Sequence, residues 1–230
     1  MIADHNIRLI SFDLDDTLWN GTDVIIQAEQ AMQDWLSEYA PAVQSRYSRD
    51  ELRALKFAFA RENPQILHKV SAVRRLFLQH LFTQLNYPNP ESMAEACFQA
   101  FYQARQRVVL FDGVAELLAE LKNRYRLVAI TNGNADLKQI GLADYFEFSL
   151  CAEDYAAPKP APDLFLAAIQ HSQLHPSQIL HVGDHPEHDI RGAKQLGFKT
   201  CWLNDGRRSL PQDVQPDYEI QHICHLRHHF

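Results

Sequence analysis

Asp13, Asp15, Asp16 and Thr17 follow directly on the apolar run Ile7-Arg-Leu-Ile-Ser-Phe12. Such a run has the composition of a strand buried on both faces of a parallel sheet, and three carboxylates at its end concentrate negative charge that needs a partner. Side chains two apart on a strand share a face, so Asp13 and Asp15 are expected to project together from the strand's C-terminal end. In open α/β sheets that end is where ligands bind. A carboxylate pair there suits a hard divalent cation such as Mg2+, which takes oxygen ligands, waters and substrate phosphate. The same residues would also serve as an acidic strand-to-helix loop with Asp or Thr capping the helix. The rest of the chain has to decide between the two.

Three further places carry polar residues at or after apolar runs: Thr131-Asn132 at the end of Arg126–Thr131, Lys159 between Pro158 and Pro160, and Asp184 and Asp189 after Ile179–Gly183. Taken singly, each has a plain structural reading. Thr131 would be a strand end or helix cap, Lys159 a solvated loop cation, and Asp184 and Asp189 caps of the following helix. Parallel strands all end on one side of their sheet, however, so the four groups can converge above one edge. Together they have the makings of an active site.

The elements that must position these groups alternate. After a helix carrying Val114, Leu117, Leu118 and Leu121, the pattern predicts a strand over Arg126–Thr131, a short helix ending near Gly141 and a strand around 146–151. A helix over Asp163–Ser172, a strand from Ile179, a helix from about Glu187 to Leu196 and a strand over Lys199–Leu203 follow, with Tyr218–Ile220 as a possible edge strand. Repeated β-α units imply an α/β fold with a parallel sheet. Residues 22–107 interrupt this pattern with helices only. Ser48-Arg-Asp-Glu51 has the spacing of a capping box there. The organisation expected is therefore a discontinuous core, 1–20 and 108–230, with an inserted helical domain over 21–107.

Composition narrows the function. A net charge of −7 and the lack of a basic run argue against a nucleic-acid surface. No apolar stretch approaches the length of a membrane span, and Met-Ile-Ala-Asp-His-Asn does not read as a secretory signal, so a cytoplasmic protein is expected. The four cysteines are widely spaced without a CxxC pair, which points to core thiols rather than zinc or disulfides. His185 and His188 read as loop residues near the site, since Mg2+ prefers oxygen. His222, His225, His228 and His229 read as a surface tail.

The four pieces occur in the order found in the haloacid dehalogenase-like (HAD) superfamily, and the chain resembles its phosphatase branch. The resemblance rests on Asp13-Leu-Asp15-Asp16-Thr17, Thr131, Lys159 and Gly183-Asp184-His-Pro-Glu-His-Asp189, with the helical insertion where the superfamily places its C1 cap. It implies a Rossmann-like core, with Asp13 as nucleophile and Asp15 as general acid and base. It implies Mg2+ held by Asp13, Asp184 and the backbone carbonyl of Asp15, with Asp189 ordering that shell. Lys159 would neutralise charge, and Thr131 and Asn132 would contact the phosphoryl group. In this superfamily the cap selects the organic part of the substrate. Arg61, His68, Arg74 and Arg75 stand out there, His68 being the candidate for substrate contact and a solvated helix face the alternative for each.

Phe12-Asp-Leu-Asp-Asp-Thr-Leu18, Val128-Ala-Ile-Thr-Asn-Gly-Asn134, Asp144-Tyr-Phe-Glu-Phe148 and Ile179-Leu-His-Val-Gly-Asp184 look most like the bacterial phosphatases of 5-amino-6-(5-phospho-D-ribitylamino)uracil, a riboflavin-synthesis step, which also hydrolyse FMN. The resemblance implies a small phosphorylated metabolite as substrate and a monomer or homodimer. The alternatives are a phosphatase for a sugar phosphate, phosphoglycolate or nucleotide, a phosphosugar mutase, or a non-catalytic binding module. A dehalogenase would share Asp13 but has no need of Asp15 or Mg2+.

Overall fold

The computed structural model describes residues 6–230. At its centre is strand β1 (Leu9–Phe12), flanked by β2 (Arg126–Thr131) on one side and β4 (Ile179–Gly183) on the other. Strands β3 (Phe148–Cys151), β5 (Lys199–Leu203) and β6 (Tyr218–Ile220) complete the order β3-β2-β1-β4-β5-β6, every pair parallel. This is the doubly wound α/β arrangement whose ligands bind where the strand order reverses. Here the reversal lies between β1 and β4. Every residue of these two strands is buried, as a sheet covered on both faces requires. One flank packs Leu164, Phe165 and Ala168 against Leu9, Val128, Ile130 and Ile179. The Rossmann-like α/β class expected from the sequence is the one that forms.

The described residues divide into two compact units. One runs to Gly21 and resumes over Val108–Phe230; the other is Thr22–Arg107. The helical unit is built from α1 (Gly21–Tyr39), α2 (Pro41–Arg46), α3 (Arg49–Glu62), α4 (Val70–Gln84) and α5 (Pro90–Arg105). Its own core holds Met32, Leu36, Phe77, Leu81, Phe82, Phe98 and Phe101. The capping box at α3 closes with both bonds, Glu51 N–H to Ser48 Oγ at 3.3 Å and Ser48 N–H to Glu51 Oε2 at 2.7 Å. Arg74 is not on a solvated face. Its guanidinium lies 3.5 Å from the Phe101 ring centroid and donates to Glu29 at 2.9 Å. Arg75 stacks likewise on Phe98 and pairs with Glu95.

The sheet unit carries α6 (Val114–Lys122), α7 (Leu137–Ile140), α8 (Asp163–Ser172) and α9 (Gly192–Gln195). Two expectations change there. The single helix expected from about 187 to 196 is a π-helical turn over Pro186–Arg191 followed by the short α9. The histidine-rich stretch is not a tail: Ile223–His228 is a 3-10 turn, and burial of Ile223, Leu226 and Phe230 pins it to the core.

Candidate active site

β1 ends at Phe12, and the next backbone N–H, that of Asp13, donates to Val182 O on β4 at 2.9 Å. Asp13 therefore stands at the point where the strand order reverses. Asp184 follows the last residue of β4, and its carbonyl accepts from the Trp202 indole of β5 at 2.9 Å. Thr131 is the last residue of β2, beside β1. Sheet order alone brings these three strand ends side by side.

Asp189 arrives by a different route. The π-turn draws the chain back over the end of β4, with His185 O accepting from Asp189 N–H at 2.9 Å and, at the wider π spacing, from Ile190 N–H at 3.4 Å; wide turns of this kind recur at functional sites. Its carboxylate lies directly over Gly183. A Cβ on that glycine would meet Asp189 Cγ at 2.4 Å, so only hydrogen fits. Lys159, 2% exposed, then ties the two arms together. Its Nζ donates to Asp13 Oδ1 at 2.8 Å, Asp189 Oδ1 at 2.6 Å and Ile130 O at 2.7 Å. All three ammonium hydrogens are used.

Carboxylate oxygens of Asp13, Asp184 and Asp189 lie within 4.8 Å of one another, and all three residues are buried. Burial raises each carboxyl's pKa, and the cations decide the outcome. Asp189 ends below its ordinary value because Lys159 and His181 outweigh burial. Asp13 ends well above it, since burial with Asp189 and Asp184 beside it exceeds what Lys159 returns. Asp184 is pushed up to about 7 by burial and Asp189, although Arg208 reaches its Oδ2. Lys159 is raised because Asp13 and Asp189 overcome its burial. The group has negative charge in excess of its cations, and its donors are all oxygen. That combination fits a hard divalent ion, with Asp13 and Asp184 as the residues to hold it. Asp189 is already committed to Lys159, His181 and the His185 N–H at 3.0 Å.

Asp15 does not join this group. Because β1 stops at Phe12, the strand alternation that would have aligned Asp13 with Asp15 ends before it reaches Asp15. The chain turns instead through Asp16, at φ 61°, and the Trp19 indole donates to Asp15 Oδ1 at 2.8 Å. Asn132 is likewise engaged elsewhere: its amide pairs with the backbone of Lys159. Thr131 Oγ1 accepts from Gly133 N–H at 2.9 Å. His185 and His188 stack with ring centroids 3.8 Å apart, and His185 Nδ1 caps the turn that delivers Asp189. His68 belongs to the helical unit, just beyond the turn Pro64–Ile66.

Sequence reasoning missed Ser11, Trp19, His181, Arg207 and Arg208. The polar Ser11 and His181 inside apolar runs were a visible signal, since buried polar groups need a reason. Arg207, which pairs with Asp16 at 3.0 Å, and Arg208 sit on an irregular segment after β5, where nothing marks them.

The sheet order and the acidic group at its reversal point define an α/β protein with a candidate site built on aspartate. The chain belongs to the haloacid dehalogenase-like hydrolase family, whose profile matches residues 7–197. It is 32% identical over 226 residues to the 5-amino-6-(5-phospho-D-ribitylamino)uracil phosphatase YigB of Escherichia coli (strain K12), covering 96% of this chain and 94% of that protein. Its identity to the phosphoserine phosphatase of Thermus thermophilus is 28%, covering 93% of this chain and 95% of that protein. Among solved structures, one described as a 2-haloacid dehalogenase from Pseudomonas syringae pv. Tomato DC3000 superposes with a TM-score of 0.91 at 39% identity, covering 96% of this chain and 97% of that one. Among the described residues no helix is long and apolar enough to cross a membrane.

Proposed function

We propose that the chain is a Mg2+-dependent phosphomonoester hydrolase that works through an aspartyl-phosphate on Asp13, with 5-amino-6-(5-phospho-D-ribitylamino)uracil and FMN as substrates. The observation that carries this reading is the Lys159 ammonium, bonded at once to Asp13 and Asp189 at the reversal point of the sheet. It holds the carboxylate of Asp13 at a fixed angle for in-line attack on phosphorus. An oxygen of Asp13 bonds to phosphorus as the ester P–O bond breaks, and Asp15 gives its proton to the departing alkoxide. Asp15 then takes a proton from water, whose oxygen attacks the phosphorus and releases phosphate and the free Asp13 carboxylate. The Thr131 hydroxyl hydrogen and Lys159 meet charge on the phosphoryl oxygens. Mg2+, held by Asp13, Asp184 and the Asp15 carbonyl with Asp189 ordering the shell, would neutralise the phosphoryl charge.

The substrate assignment is supported by the similarity to YigB, which extends over 96% of this chain. The same reading has the enzyme acting on small metabolites in the cytoplasm as a monomer or homodimer. Its test is phosphate release from FMN, the ribitylaminouracil phosphate, sugar phosphates, nucleotides and phosphoglycolate, with Mg2+ and with chelator. Mg2+-dependent release with the ribitylaminouracil phosphate preferred by kcat/KM is the expected result. Preference for another ester would discard the substrate and keep the chemistry.

The solved structure described as a 2-haloacid dehalogenase, at 39% identity, favours a second reading in which Asp13 attacks carbon and expels halide. A halide leaves as an anion and needs no proton, so Asp15 and its indole donor would have no task. Halide release from a 2-haloacid, with no phosphate release from any ester, would establish that reading instead.

A further inference from the structure

Beneath the acidic group a buried polar relay continues into the sheet. Ser11 and His181 are register partners on β1 and β4, both 0% exposed. Ser11 Oγ and His181 Nδ1 are 2.8 Å apart, and His181 Nε2 is 3.3 Å from Asp189 Oδ1. That same oxygen accepts from Lys159, which in turn reaches Asp13. Leu9, Ile10, Phe12, Leu180 and Val182, all fully buried, surround the pair along the two strands. A serine and a histidine in that setting cost stability unless every polar atom is bonded.

We propose that His181 is a positioning residue for the reaction: held by Ser11 as the Nε2–H tautomer, it donates to Asp189 Oδ1 and fixes the carboxylate that aims Lys159 at Asp13. The tautomer follows from counting hydrogens. Ser11 has one hydroxyl hydrogen and two acceptors in reach, His181 Nδ1 at 2.8 Å and Leu180 O at 3.2 Å. Were it given to Leu180, Nδ1 would have to carry hydrogen to meet Ser11. A neutral ring would then turn the bare lone pair of Nε2 toward a carboxylate oxygen at 3.3 Å. Doubly protonated imidazole would relieve that clash only by placing a second buried cation on the oxygen that already takes the Lys159 ammonium at 2.6 Å. The shorter bond therefore takes the hydrogen. Phe165 meets the ring edge-on at 5.2 Å and 86°, which holds its plane.

The consequence reaches Asp13. With His181 and Lys159 on Oδ1 and the His185 N–H on Oδ2, rotation of the Asp189 carboxylate is closed from both sides. Without the imidazole donor the carboxylate can turn, and Lys159 can settle on Asp189 at the expense of Asp13. Groups that orient the residues of a site in this way are a recurrent part of its design.

The kinetic arm of the test rests on the phosphatase reading; the spectroscopic arm does not, so the two can fail separately. Long-range 1H–15N correlation spectra of the 15N-histidine-labelled full chain should show His181 with a bare Nδ1 and a protonated Nε2. A protonated Nδ1 overturns the proposal, whether or not the variants fold. Gln at this position keeps an amide donor at the height of Nε2, whereas Asn keeps one only at the height of Nδ1. With p-nitrophenyl phosphate and Mg2+, His181→Asn should lower kcat about 10- to 100-fold with KM nearly unchanged, and His181→Gln should recover most of the loss. Equal kcat in the two variants, or a change confined to KM, would overturn the positioning role. Absence of phosphate release by the wild type would sink the phosphatase reading and leave the tautomer to judge this one.

Discussion

Asn132 and Lys159 hold each other through a pair of reciprocal hydrogen bonds: the Lys159 N–H donates to Asn132 Oδ1 at 2.8 Å, and Asn132 Nδ2 donates to the Lys159 carbonyl at 2.9 Å. The segment that follows β3 is thereby fastened to the end of β2, and the lysine backbone cannot shift without breaking both bonds. The ammonium at the far end of the side chain inherits that fixed origin. Asn132→Ala should lower kcat roughly 10- to 100-fold with little change in KM. It should also cost about 1–3 kcal/mol of stability, from two half-buried backbone groups left unpaired. Steady-state kinetics and urea unfolding check this. A rise in KM at constant kcat would mean that Asn132 contacts substrate instead.

Gly183 is required by contact rather than by backbone angle. A methyl there would overlap Asp189 Cγ and Oδ2, both at 2.4 Å, and this carboxylate has no free direction in which to retreat. Gly183→Ala is expected to destabilise the protein by about 1–3 kcal/mol, and to lower Tm by roughly 2–4 °C for each kcal/mol. Activity should fall further than stability does, because Asp189 and Lys159 move together. Thermal unfolding and initial rates measured side by side test the pairing of the two effects.

In the helical unit, Glu29 joins Arg74 at 2.9 Å and Lys56 at 3.0 Å. Burial raises the carboxyl's pKa, but the two cations outweigh it and the net shift is below 4.5. A folded pKa depressed in this way contributes stability above the unfolded value and loses it as pH falls through the folded value. Glu29→Gln should therefore cost about 1–2 kcal/mol at neutral pH, in line with a hydrogen-bonded charge that is only partly buried. The difference from wild type should vanish in acid well below pH 4.5. Urea unfolding at pH 7 and through a descending acid series decides; a difference that does not shrink as pH falls would mean packing, not charge.

The strand-end residues were legible because a polar group at the close of an apolar run marks both a boundary and an exposed edge. Asp13, Thr131 and Asp184 were found that way, and parallel topology then brought them together. The indole partner of Asp15 was not legible, because nothing local says that β1 stops at Phe12. The turn beyond it is set by Asp16 N–H bonding Trp19 O at 2.7 Å, a contact created by packing. The partnership of His181 with Ser11 depends on lateral register, which no single strand carries. Arg208 reaches Asp184 from an irregular segment with no periodicity to read. The histidine-rich stretch did carry a signal, masked by its composition: Ile223, Leu226 and Phe230 recur at the spacing of one buried helical face.

Covalent capture at Asp13 tests the central claim most directly. Wild-type protein mixed with the ribitylaminouracil phosphate or FMN and Mg2+, quenched in acid within the first turnover and reduced with borohydride, should yield homoserine at position 13 by peptide mass spectrometry. The modification should be absent with chelator and in Asp13→Asn, which should also release no phosphate. Phosphate release with no label at Asp13, or undiminished release by Asp13→Asn, would contradict the account.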